Sequence, residues 1–101
     1  MDKKECLLSL TVLPAMEETL VDWLLENHGE TGFSRFAVDG HSSQTQGLSL
    51  AEQVVGRRKQ VRFEIHLSQE QIPVILEQLR TDFTGAGMQY WISPLLGVGR
   101  I

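Results

Sequence analysis

Between Val38 and Val61 the chain reads VDGHSSQTQGLSLAEQVVGRRKQV, about twenty mostly polar residues with no core-forming pattern until Leu48. Strand-like runs flank it on both sides. Compact domains keep so long a connection where it binds something or is disordered. In a chain of 101 residues this segment, from about 40 to 60, constrains the fold strongly. The core must come from the two flanking pieces, and the segment itself is where function is sought. Its first half lacks an apolar face and is expected to open easily.

Each flanking piece reads as strand, helix, strand. Cys6 to Leu13 alternates, with Cys6, Leu8, Leu10 and Val12 on one face and Leu7, Ser9, Thr11 and Leu13 on the other. Two partly apolar faces suit a central strand. Pro14 is expected to open a helix, where its missing N–H costs nothing. Met16, Leu20, Trp23 and Leu24 form its buried stripe, Glu17, Glu18 and Asp22 complement its start, and Asn27, His28 and Gly29 end it. Phe33 to Val38 is the second strand.

The second piece begins with Val61, Phe63, Ile65 and Leu67 alternating with Arg62, Glu64 and His66, the clearest strand in the chain. Ser68 with Gln71 resembles a capping box before the stripe Ile72, Ile75, Leu76, Leu79 and Phe83. Pro73 conflicts with that cap, because it falls on the fifth helical residue and removes a hydrogen bond. Either the helix opens with an irregular turn or its start slips toward Gln71. Thr84-Gly85-Ala86-Gly87 connects to a last strand from Met88 to Ser93.

Two such halves predict an α+β fold: a ferredoxin-like split β-α-β sandwich of order βαββαβ, as one domain over residues 1–101. It has four antiparallel strands with two helices on one face. The other face is left open and carries Arg62, Glu64 and His66, with Gln89 and Trp91 beside them if Met88, Tyr90 and Ile92 face the helices. A tryptophan in water on such a face points to self-association.

Composition narrows the function. With 42% apolar residues there is enough for one core and not two. A net charge of −4 opposes a general nucleic-acid surface. No RNP1-like run exists, and Phe63 faces the helices, so nucleic acid is not an expected partner. Cys6, the single cysteine, forms no internal disulfide, which suits a reducing compartment. The opening Lys3-Lys4 and CLLSLTVL mimic a signal peptide, but Asp2 and Glu5 spoil the basic flank and no A-x-A site follows. The run reads as mature sequence, and no run is long enough to span a bilayer, so no membrane insertion is expected.

The chain resembles the PII-like signalling proteins over nearly all its length. The likenesses are Val38-Asp39-Gly40 entering the long segment with Gln44 and Gly47 beyond, Val61-Arg62-Phe63-Glu64-Ile65, Thr84-Gly85-Ala86-Gly87, and Ile92-Ser93-Pro94 with a tail bearing Arg100. Their order matches the family's T-loop, third strand, B-loop and C-terminal segment. The resemblance implies a cytoplasmic, non-enzymatic homotrimer. It also implies that an adenine nucleotide such as ATP or ADP binds between subunits, and that the T-loop meets a membrane transporter or an enzyme. The nucleotide cleft would then take Gly40, Gln44, Arg62, Gly85, Gly87 and Arg100. His41, Arg57, Arg58 and Lys59 would contact the partner. The family's G-x-G-R-Q-x-G is replaced by Gly40-His41-Ser42-Ser43-Gln44-Thr45-Gln46-Gly47, the B-loop has no lysine, and Tyr90 is the only tyrosine. With these departures the chain looks more like the divergent PII-like branch found beside heavy-metal efflux transporters.

Plainer readings stand beside these. Gly85 and Gly87 also suit a tight helix-to-strand turn. The cluster Arg57-Arg58-Lys59 also suits a solvated strand entry, although a neighbouring subunit's Glu17, Glu18 and Asp22 could pair with it. A CutA-like metal-responsive protein is the alternative function. His41 and His66 are its candidate ligands, since copies of one histidine meet near a symmetry axis. Cys6 reads as core and His28 as a helix C-terminal cation. A Cys-His nucleophile is disfavoured because the neighbours of Cys6 on its face are all apolar.

Overall fold

The computed structural model describes residues 4–41 and 58–101. The elements are β1 (Glu5–Val12), a 3₁₀ turn (Pro14–Met16), α1 (Glu17–His28), β2 (Ser34–Gly40), β3 (Arg58–Ser68), α2 (Ile72–Asp82) and β4 (Gln89–Leu95). The strands form one sheet in the order β2-β3-β1-β4, and all three pairings are antiparallel. This is the split β-α-β sandwich, with β1 as a central strand.

The inner side of the sheet carries the core. Cys6, Leu8, Leu10 and Val12 from β1 and Val61, Phe63, Ile65 and Leu67 from β3 are buried beneath Leu20 and Leu24 of α1 and Ile72, Ile75 and Leu79 of α2. The helices are joined at their outer edge as well. Trp23 Nε1 donates to Asp82 Oδ2 at 2.7 Å, and His28 Nε2 lies 2.9 Å from Gln78 Oε1. Trp23 also meets Phe83 edge-on, with ring centroids 5.6 Å apart. His28 does sit in the last turn of α1, but its ring serves the contact between helices too.

Several boundaries differ from the sequence reading, each for a local reason. Pro14 opens a 3₁₀ turn and the α-helix starts at Glu17. Gly29 follows α1 in ordinary right-handed geometry, and the left-handed step falls at Gly32, with φ of 76°. The conflict at Pro73 is resolved by the later start: α2 begins at Ile72, so Pro73 lies in the first turn, where no N–H is needed. Ser68 and Gln71 form a turn ahead of the helix, in which the Gln71 side-chain oxygen accepts from the Ser68 N–H at 2.9 Å.

The hairpin of β2 and β3 is longer than the hydrophobic pattern suggested. Gly40 pairs with Arg58, Asp39 with Lys59 and Val38 with Gln60, so Arg58 and Lys59 are strand residues rather than part of the connection. Gln44 and Arg57, and the expectation that the segment opens easily, lie outside the described residues.

Candidate ligand site on the open sheet face

Among the described residues no helix lies over the outer side of the sheet. Strict alternation in β3 aims Arg62, Glu64 and His66 there, as its burial pattern confirms. The register then sets their neighbours. Phe36, Arg62, Thr11 and Gln89 form one row across all four strands, and Glu64, Ser9 and Trp91 belong to the next.

Arg62 reaches diagonally over β1 from the first row to the second. Its Nε donates to Thr11 Oγ1 at 3.1 Å. Its guanidinium carbon lies 4.5 Å from the centroid of the Trp91 ring. That arrangement roofs β1 and leaves Ser9 and Thr11 only 2% exposed each, although both are polar and on the helix-free side. A cation over an exposed aromatic face contributes about 0.5–1 kcal/mol. The larger consequence is geometric: the hydrogen bond and the stack hold a planar guanidinium in one orientation. Among the described residues its terminal nitrogens take no protein partner. A fixed guanidinium with open terminal donors suits a phosphate or carboxylate.

The turn at Gly85 and Gly87 enters the sheet at the same end, two residues before Gln89, which pairs with Thr11. Both glycines have positive φ, 82° and 73°, and a Cβ on either would meet nothing within 4 Å. Backbone conformation, not space, is therefore what requires glycine here. Gly85→Ala is expected to cost about 1–2 kcal/mol of stability without any ligand present. Chemical denaturation measures it, and an unchanged midpoint would mean that the turn relaxes freely.

Gly40 and His41 sit at the far end of the β2–β3 hairpin. Gly40 has no positive φ, and a Cβ there would crowd only the flexible Gln60 side chain. Arg100 is elsewhere. It follows Leu95, which pairs with Glu5, whereas the Arg62 row crosses β1 at Thr11. Those two rows are roughly 20 Å apart along the strand. One chain thus brings Arg62 and the glycine turn to one end of the sheet and sends the tail from the other.

His66 lies on the open face toward that tail end, with Nε2 2.8 Å from Glu5 Oε2. His41, just past the Gly40–Arg58 pair, is at the opposite end, so the two histidines do not meet within one chain. Among the described residues no group of three or more His, Cys, Asp or Glu forms a metal-sized cluster. Glu17 and Glu18, offered above as partners for a neighbour's basic cluster, are engaged by Arg35 of their own chain at 2.8 and 3.1 Å. The hydrogen bond to Glu18 is the largest influence raising the Arg35 pKa.

Sequence reasoning placed Trp91 and Arg62 on the same face but did not find their contact, nor Thr11 and Glu5 as partners. Alternation gives the face, while the register that makes neighbours is not written in any one strand.

A family model described as "Protein of unknown function (DUF3240)" matches residues 2–101. The chain belongs to the DUF3240 family. A solved DUF3240 family protein from Shewanella baltica is similar over 100% of this chain and 99% of its own, with 27% identity and a TM-score of 0.76. The PII-like protein CPII from Thiomonas intermedia, solved with ADP, AMP and bicarbonate, is 18% identical with a TM-score of 0.68, covering 97% of this chain and 96% of its own. CutA from Synechococcus elongatus is 13% identical, also with a TM-score of 0.68, covering 93% and 79%. At those identities the last two show that this DUF3240 chain shares the fold of PII-like and CutA proteins. No curated protein matches significantly. Among the described residues of this DUF3240 chain, no helix is long and apolar enough to cross a membrane.

Proposed function

We propose that this chain is a non-enzymatic regulator of the PII-like kind, a homotrimer that binds an adenine nucleotide between subunits. In this reading the segment from about 40 to 60 meets a partner protein, such as a membrane transporter, in the cytoplasm. The observation that carries the reading is Arg62, held by Thr11 and Trp91 with its terminal nitrogens open, at the same end of the sheet as the Gly85–Gly87 turn. The guanidinium supplies the charge, and the turn supplies backbone N–H groups for phosphate. Gly40 and Gln44 would form the base of the cleft. Arg100 follows a strand that ends at the opposite end of the sheet, and in this reading it is supplied to the cleft by a neighbouring copy. The ADP and AMP in the CPII structure support the choice of ligand.

Calorimetric titration with ATP, ADP and AMP tests this. Arg62 and Arg100 are the two arginines available to the phosphates, and a charge-assisted contact contributes about 1.5–3 kcal/mol. Arg62→Gln is expected to lower affinity about tenfold or more while the assembled mass is unchanged. Absence of binding by the wild type at millimolar nucleotide would overturn the reading. The CutA-like alternative is favoured by one contact, the His66–Glu5 pair on the open face, which symmetry would multiply near an axis. Copper, zinc or silver in the same titration would then change stability where nucleotides do not.

A further inference from the structure

The helices leave part of the inner side of the sheet uncovered. On β4, Tyr90 and Ile92 face inward, paired with Leu10 and Leu8, yet they remain 45% and 41% exposed. Between α2 and β4 runs a cleft of about 450 Å³, floored by Leu10, walled by Leu76, Leu79 and Phe83 on the helix side and by Met88 and Tyr90 on the strand side, with the Gly85 and Gly87 turn also in its lining. Its size is that of a pocket for a small organic molecule. Arg80 and Thr84 supply its polar side chains. Thr84 gives its hydroxyl proton to the Arg80 carbonyl, so the guanidinium is the group with donors to offer. The ion pair of Arg80 with Glu77 is long, 3.8 Å, between side chains 61% and 76% exposed. Such a contact is weak and easily exchanged.

We propose that this cleft binds a small amphipathic organic anion, with an apolar body between α2 and β4 and a single carboxylate on Arg80. An apolar body is required because the walls offer aliphatic and aromatic carbon almost throughout, and the single charge follows from the single guanidinium. A nucleotide, with several charges and a polar sugar, does not fit that chemistry. The cleft shares the Gly85–Gly87 turn with the site assigned to nucleotide, but not its arginine. Leu10 and Tyr90 alternate along their strands with Thr11 and Trp91, so the sheet stands between the floor of the cleft and Arg62.

Titration of the full chain with 2-naphthoate, its uncharged counterpart 2-naphthamide, and decanoate tests the proposal by calorimetry. One molecule of naphthoate or decanoate is expected per chain, and the tighter of the two identifies the body as aromatic or aliphatic. Naphthoate should bind about tenfold more tightly than naphthamide, and Arg80→Gln should remove that difference. Tyr90→Asp should abolish binding of all three. Failure of both acids to bind at millimolar concentration overturns the proposal. That includes the case in which a copy's exposed tail, with Leu96 and Val98, already fills the cleft. Naphthoate binding unchanged in Arg80→Gln overturns it as well.

Discussion

Trp91→Lys is expected to break the proposed homotrimer into protomers of 11.4 kDa, while each protomer keeps its fold. Trp91 is 44% exposed on the helix-free side of the sheet, with Phe36 at 41% in the neighbouring row. Exposed apolar surface of this kind marks a site of association. Burying one such side chain contributes about 2 kcal/mol, and in a symmetric trimer the substitution removes that contribution three times. It also places a lysine where charge would be desolvated. The fold should survive because Trp91 lies outside the core and its main partner is the Arg62 guanidinium. Light scattering at micromolar concentration reads both proteins. A wild-type mass already near 11.4 kDa would remove the assembly from the account.

Phe63→Ala should lower stability by about 3–5 kcal/mol. Phe63 is 0% exposed and sits in β3, which pairs with β1 on one side and β2 on the other. Its ring also meets Phe33, with centroids 5.9 Å apart. Small domains are stable by about 5–15 kcal/mol in total, so the variant should populate unfolded chain under mild denaturant. Urea unfolding followed by circular dichroism measures the loss. A cost below about 1 kcal/mol would mean that neighbouring side chains collapse into the space.

The fold was legible because β3 and α2 carry strong, different periods. Val61, Phe63, Ile65 and Leu67 alternate, while Ile72, Ile75 and Leu79 recur at helical spacing, and all of them are buried. Weak signals were read less well. The hairpin residues Val38–Gly40 and Arg58–Gln60 pair although they form no apolar pattern. Their ladder is held by backbone hydrogen bonds, which leave no mark on residue type. The candidate site divides in the same way. Arg62 and Trp91 could be assigned to the open face from alternation alone. That the guanidinium lies on the indole depends on the register of β3 and β4 against β1, which is set in three dimensions. Pro73 shows the converse. A conflict visible in the sequence marked where the helix start had to move.

The two sides of β3 obey separate rules. Inward residues Val61, Phe63, Ile65 and Leu67 are fixed by packing, whereas outward residues Arg62, Glu64 and His66 lie outside the hydrophobic core cluster. Exchange of Glu64 or His66 therefore opens no cavity inside, whereas exchange of Arg62 uncovers the buried Ser9 and Thr11. A sheet built this way tolerates extensive divergence, in keeping with a fold shared at 18% and 13% identity. For protein engineering, the helix-free side is a surface on which new recognition can be installed while the inner side preserves stability.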